Sequence, residues 1–432
     1  MPQPRQSSVS IAYGRGMIEL PLDPDIADWE IIQGGDETAI LDFESRFREA
    51  VNFPVNSAPL RQIVASDDTV VIVTSDGTRP VPNKLIIPAI VRHCQLRPDK
   101  VTILIGTGTH RPPSRSDLID LLGKTILGSF RVVCHNARAS DELEFLGRSK
   151  SGVPVSMNKE YLWASKRIVL GFIEPHFFAG FSGGAKGICP AICGMETIDE
   201  FHSFRIIAHP GSDYGELEEN PQQLLAREIV ALAPPDFLVN VTLNSAKQVT
   251  GIYAGDYVDA HRVGANDSLR IASARVKKKY PLVVVSNSGY PLDQNLYQTV
   301  KGITTAARIV ADGGIILAVS ECSKGIPDDG NFAQILNTAA DPAAVLETIA
   351  EPSYKVSDRW QAQKLMQILM KARVFLLSEL SEEKTATCKM VKVGSIIEVV
   401  KDAAREYGPC PPVAVIPDGP LTLPMTDNVV GF

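Results

Sequence analysis

Short runs of β-branched and aliphatic residues, separated by longer mixed segments, set the pattern of this chain. That alternation is the signature of α/β units with parallel strands. Residues 69–74, 101–105, 131–134 and 167–171 are the predicted strands of a first domain. The pattern restarts after residue 272, with a strand at 281–286, a helix at 295–311, a strand at 313–319, a helix at 358–372 and a strand at 373–377. The expected fold class is therefore α/β, with two α/β domains and parallel-type sheets. The first domain is expected over 1–272 and the second over 273–405, with the proline-rich tail 406–432 packing back on the first. Ligands collect at the carboxyl ends of strands in open α/β sheets. Three unusual segments, 75–80, 106–113 and 171–186, follow predicted strands, which places them at one shared pocket.

Composition narrows the function classes. With 44% hydrophobic and 22% charged residues, the chain of 432 residues is an ordinary globular protein and not a disordered one. A net charge of −7 argues against a general nucleic-acid binder, which needs a basic face, so no nucleic-acid partner is expected. No apolar run approaches the ~20 residues of a membrane span, and the polar N-terminal segment lacks the apolar core of a signal peptide. The 7 cysteines include no C-x-x-C pair, which fits reduced thiols in a cytoplasmic protein and not a four-cysteine zinc site.

Four motifs carry chemistry. Ser75-Asp76-Gly77-Thr78-Arg79-Pro80 offers an acceptor, a hydroxyl, backbone amides and a fixed cation, a set suited to a phosphate or carboxylate. The same residues are equally the pattern of an Asx-turn with a surface arginine. Gly106-Thr107-Gly108-Thr109-His110-Arg111 lets backbone approach a ligand and puts His110 beside it as an acid/base candidate. It is not a dinucleotide fingerprint, because Arg111 stands where the third glycine belongs. The segment 171–187 wraps glycines 180, 183, 184 and 187 around Lys186, with His176 before it and His202 after it. Ala185 separates Gly184 from Lys186, so this is not a P-loop, and on spacing alone Lys186 is an anion-binding lysine. In Tyr290-Pro291-Leu292-Asp293-Gln294-Asn295-Leu296-Tyr297-Gln298-Thr299-Val300-Lys301, Gln298 and Lys301 share a helix face. They read either as a clamp for a small carboxylate or as two solvated polar residues. Histidines 93, 135, 209 and 261 are assigned structural or surface roles, and Trp360 either caps a pocket or fills a core.

Taken together, Asp76-x-Thr78-Arg79-Pro80, the Gly-Thr-His-Arg segment, the long motif from Gly171 to Lys186 and the Tyr-Pro-Leu-Asp-Gln motif resemble the nickel-pincer lactate racemases, in the same order over about residues 70–370. The resemblance implies two α/β domains with the active site in the interdomain cleft. It implies a Ni(II)-pyridinium-3,5-bisthiocarboxylic acid mononucleotide covalently tethered to Lys186, with His202 as the protein ligand to nickel. Asp76, Gly77, Thr78 and Arg79 would contact the mononucleotide. His110 and His176 would be the paired acid/bases, and Arg79, Gln298 and Lys301 would bind a 2-hydroxy acid. Implied partners are the small substrate and the cofactor-synthesis and nickel-insertion enzymes, with no membrane and a cytoplasmic location. Ala185 departs from the family, many of whose members carry a basic residue there.

Two other classes compete. A nicotinamide-dependent 2-hydroxy-acid dehydrogenase needs a dinucleotide fingerprint followed by an acidic ribose-binding residue, and the sequence holds none. A non-catalytic carrier of the mononucleotide has no use for paired acid/base histidines, and both are present.

Overall fold

The computed structural model describes residues 6–327 and 331–426. The chain divides into two units, one of residues 36–271 and one that joins 1–35 to 272–432.

In the unit 36–271, a six-stranded sheet runs in the order Val249–Gly255, Phe237–Leu243, Lys166–Phe172, Val70–Ser75, Val101–Gly106, Arg131–Cys134. Neighbours are parallel except at the Val249–Gly255 edge, which pairs antiparallel. The strand Val70–Ser75 shows why these residues form it. Val71 and Val73 face one core with Leu104, Val169 and Leu238, while Val70 and Ile72 face another with Ile103, Ile168 and Val239. Both faces are covered, so the strand is a continuous β-branched run and not an alternating one. Each such side chain contributes about 1.5–3 kcal/mol of burial. The strands Val101–Gly106 and Arg131–Cys134 extend the sheet one way from Val70–Ser75, and Lys166–Phe172 and Phe237–Leu243 extend it the other way. The winding direction therefore reverses beside Val70–Ser75. Ser75 stands opposite Gly106 and Val73 opposite Val169, so the three central strands finish at one edge. The segments 75–80, 106–113 and 171–186 all leave from that edge.

The other unit holds a six-stranded parallel sheet in the order Val391–Val393, Arg373–Leu377, Val310–Val319, Tyr280–Ser286, Pro412–Ile416, Asp28–Ile31. The extent of this unit differs from expectation at both ends of the chain. The tail, expected to pack back on a first domain of 1–272, belongs to this unit: Pro412–Ile416 inserts between Tyr280–Ser286 and Asp28–Ile31, and Leu423–Thr426 pairs with Ser273–Val276. Residues 427–432 of that tail lie outside the described part of the chain. The first segment also belongs here, through Asp28–Ile31 and the hairpin of Ser8–Tyr13 with Gly16–Pro21. Pairing across such sequence distances leaves no local pattern, so a contiguous reading misses it. The helix predicted over 295–311 ends at Ala307, because the next strand already begins at Val310. Among the described residues no helix is long and apolar enough to cross a membrane.

Candidate active site

The turn after Val70–Ser75 is an Asx-turn that gathers several of the candidate residues. Asp76 is 6% exposed. Its Oδ1 accepts from the Thr78 backbone N–H at 3.1 Å and from the Thr78 hydroxyl, the Asx geometry. Its Oδ2 lies 2.7 Å from His110 Nδ1. Burial raises the Asp76 pKa, but the bonds and charge of His110 and the bonds from Thr78 outweigh it and hold the carboxyl below its ordinary value. Arg79 is not a surface arginine: its Nε lies 3.7 Å from Glu174 Oε1, with both side chains about three-quarters covered. Gly77 borders open space, since a Cβ there would meet nothing within 4 Å.

His110 is delivered by the turn after Val101–Gly106. Gly108 takes φ +55°, its N–H donates to Ala191 O at 2.9 Å, and His110 N–H closes the turn on Thr107 O at 2.9 Å. The Thr107 hydroxyl donates to His135 O at 2.6 Å, and His135 Nε2–H donates to Cys193 O at 2.9 Å. Burial pushes the His135 imidazole down to about 4, which fits a neutral structural ring. The His110 side chain remains 54% exposed, within reach of a ligand.

The third segment folds back on itself. Pro175–His176 pairs antiparallel with Gly180–Phe181, and Gly184–Gly187 forms a single 3₁₀ turn that carries Lys186. Buried amides and a histidine from later in the chain hold this loop by its main chain. Asn220 Nδ2 donates to Phe178 O at 3.0 Å, and Gln223 Nε2 donates to Ala179 O at 2.6 Å and Phe181 O at 3.0 Å. His261 Nε2–H donates to Ser182 O at 2.8 Å, and Asn240 Oδ1 accepts from Gly184 N–H at 2.8 Å. Two glycines are required here. At Gly180 (φ +70°) a Cβ would lie 1.7 Å from Glu216 O, and at Gly184 (φ +57°) it would lie 2.5 Å from the His261 ring. Ala185 is buried in the apolar core with Val71 and Val73.

Phe178 is the common neighbour of the remaining candidates. Its ring centroid lies 4.6 Å from that of His176 and 6.1 Å from that of His202, and Lys186 Nζ lies 6.0 Å from it. His176 also stacks on Phe177 at 5.0 Å and is 7% exposed. His202 caps the helix Met195–Phe201, and its Nδ1–H donates to Ile198 O at 3.1 Å. That bond fixes the tautomer with the lone pair on Nε2, the arrangement typical of metal-ligating histidines. Among the described residues no group of three or more His, Cys, Asp or Glu could hold an ion, so His202 offers a single donor. A single imidazole suits a metal that arrives with its own ligands, and the open space at Gly77 and the buried Ser75 Oγ, unpartnered among the described residues, suit a group seated on the strand-end turn.

Gln298 and Lys301 lie in the other unit, on the helix Leu296–Ala307, where Asn295 caps Gln298 N–H at 3.0 Å. Gln298 Oε1 is buried without a hydrogen-bond partner among the described residues. The Trp360 indole N–H donates to the Tyr297 hydroxyl at 3.1 Å, which settles it as a largely buried side chain against this helix. Sequence reasoning missed the roles of Glu174, Phe178, Asn220, Gln223 and Asn240, and it treated His261 without reference to the site. Glu174 and Phe178 stood inside a quoted motif; the others carry no local signal, because their partners are distant in the chain.

Comparison with known proteins gives the same reading. Residues 13–215 match the lactate racemase N-terminal domain and residues 276–422 match the lactate racemase C-terminal domain, which includes the strand Pro412–Ile416 of the tail. The lactate racemase of Thermoanaerobacterium thermosaccharolyticum is 32% identical over 427 residues, covering 96% of this chain and 98% of that one. The lactate racemase of Lactiplantibacillus plantarum is 33% identical over 387 residues, covering 88% and 90%. The solved apoprotein of the Thermoanaerobacterium enzyme superposes with a TM-score of 0.89 at 30% identity, covering 97% of this chain and 100% of that one. A Thermotoga maritima protein shares the fold alone, at a TM-score of 0.69 and 16% identity over 90% of this chain and 100% of that one. The chain belongs to the lactate racemase family of isomerases.

Proposed function

We propose that this chain interconverts the enantiomers of lactate, or of a closely related 2-hydroxy acid, with the family's nickel-pincer mononucleotide tethered to Lys186. The observation that carries the reading is the convergence at one sheet edge of an Asp76–His110 pair, the Arg79–Glu174 pair, and His176, Lys186 and His202 around Phe178.

The chemistry explains why such a set is needed. A C2–H beside an ionised carboxylate is a poor acid, so removing it as a proton is difficult. When bound, the nickel group would supply an electrophilic hydride acceptor, so that C2 could pass through a planar 2-keto acid open on either face. The chain does the rest. Lys186 provides the tether and His202 the imidazole ligand. Asp76, Gly77, Thr78 and Arg79 hold the mononucleotide. His110 and His176 move the hydroxyl proton, one for each enantiomer, because the two present that hydroxyl in different directions. Arg79, Gln298 and Lys301 hold the carboxylate and keep C2 oriented.

The test is co-expression with the cofactor-synthesis and nickel-insertion enzymes, followed by intact mass, nickel content and chiral assay from each enantiomer of lactate. A mass adduct, bound nickel and convergence to a racemic mixture from both sides are expected. An unmodified, nickel-free chain that still racemises lactate would contradict the proposal.

A further inference from the structure

The two candidate acid/bases carry opposite hydrogen-bond signatures. His110 Nδ1 lies 2.7 Å from Asp76 Oδ2. A carboxylate only accepts, so the ring hydrogen sits on Nδ1 and the lone pair on Nε2. The carboxylate is fixed in turn, since Thr78 donates to Oδ1 through its backbone N–H at 3.1 Å and through its hydroxyl. Its depressed pKa keeps it ionised at neutral pH. At His176 the polarity is reversed: Nδ1 accepts the Ala179 backbone N–H at 3.3 Å, which leaves the hydrogen of the neutral ring on Nε2.

We propose that Asp76 is the positioning residue for His110, and that the two histidines start the reaction unlike, His110 presenting a bare Nε2 and His176 an Nε2–H. Which molecule they act on rests on the racemase reading; the tautomers do not. The enantiomer whose hydroxyl faces His110 then reacts from the resting protein. Its O–H bond breaks, the proton passes to Nε2, the electron pair stays on the substrate oxygen, and Nδ1–H remains on Asp76. The opposite enantiomer meets an Nε2–H, which donates to its oxygen but accepts nothing until His176 exchanges tautomer and gives up the Ala179 bond. The direct outcome is unequal first turnovers of the two enantiomers, with the equilibrium unchanged.

The experiment has two arms. In the first, the full cofactor-free chain is labelled with ¹⁵N in the histidine rings and compared with D76N, using H110Q and H176Q for assignment. The expected result is Nδ1–H at His110 and Nε2–H at His176. D76N should return His110 toward the mixture seen in water and leave His176 and the buried His135 and His261 unmoved, which also controls for folding. The same tautomer at both rings in the wild type, or an unmoved His110 in D76N, overturns the proposal; the wild-type spectrum decides even if D76N does not fold. In the second arm, the cofactor-loaded protein is given each lactate enantiomer in single turnover. D76N should slow one enantiomer roughly 10²–10⁴-fold more than the other while the adduct on Lys186 persists, and Asp76→Glu should recover part of the loss. Equal losses for both enantiomers, or a missing adduct, would make Asp76 a cofactor ligand only and overturn the proposal. A loaded wild type that turns over neither enantiomer defeats the lactate reading, and the tautomer arm still decides this one.

Discussion

The two six-stranded sheets of this chain reverse their winding direction in the same way, yet they use the carboxyl edge at the reversal differently. In the unit 36–271 the groups on that edge are engaged with one another as side chains, Asp76 with His110 and Arg79 with Glu174, and a Cβ at Gly77 would meet open space. In the other unit the chain fills its own edge. Ser286 Oγ donates to Ala12 O at 2.7 Å, Asn287 Oδ1 accepts Gly302 N–H at 2.9 Å, and Asp293 Oδ2 accepts Gly14 N–H at 2.6 Å and Glu321 N–H at 3.2 Å. Gly419 comes so near that a Cβ would lie 2.6 Å from Ser286 O. A reversal point is thus an opportunity for ligand binding and not a guarantee of it. At the first edge polar side chains are left to face one another, and at the second most of them are satisfied by backbone.

The contrast can be broken or sharpened by substitution on each side. The largest effect is expected from Lys186→Ala: intact mass should show an unmodified chain and racemisation should fall to background. An adduct of unchanged mass would place the tether elsewhere and leave the glycine-rich loop a structural element. Next come His110→Ala and His176→Ala, each lowering the rate by ~10²–10⁴-fold. In single turnover their enantiomer preferences should be opposite; near-normal racemisation by either would mean one base serves both faces.

The loop supports act on stability and through pH. Burial pushes His135 and His261 to about 4, against about 6.5 in the unfolded chain. Between those values the unfolded state binds more protons, so stability rises with pH over this window and is lost as pH falls through it. The loss approaches roughly 3 kcal/mol per ring by pH 4 at ~1.4 kcal/mol per pKa unit. Denaturant melts of wild type and His261→Asn at pH 7 and pH 4.5 measure it; an equal pH dependence in both would show that His261 is not held neutral by the fold. The smallest effect belongs to the filled edge. Asp293→Ala leaves one buried and one part-buried N–H donor unpaired and should cost about 1–3 kcal/mol in melting without changing the Lys186 adduct. Loss of the adduct in that variant would collapse the distinction between the two edges.

The sequence disclosed the parts of this arrangement that are local. Val70–Ser75 and Tyr280–Ser286 were legible because a strand buried on both faces is a continuous β-branched run, and the glycine-rich loop was legible because Gly180 and Gly184 tolerate no side chain. What stayed hidden depends on distant pairing. Asp28–Ile31 is a short, mixed strand whose membership is decided by Pro412–Ile416, and Asn240 and His261 reach the Lys186 loop from beyond the end of its own segment. The opposite settings of His110 and His176 are equally invisible in sequence, since both simply read as histidines beside glycine turns.

Every role assigned to the edge of the 36–271 sheet depends on how the hydrogen at C2 leaves. Lactate of one configuration, deuterated at C2, should be racemised by the cofactor-loaded protein in ordinary water, and both enantiomers analysed for label at partial conversion. Transfer as a hydride, with only the hydroxyl proton passing through His110 and His176, predicts that the product enantiomer retains its deuterium. Product that has exchanged deuterium for solvent hydrogen would mean proton abstraction at C2, and would contradict the part played by each residue at that edge.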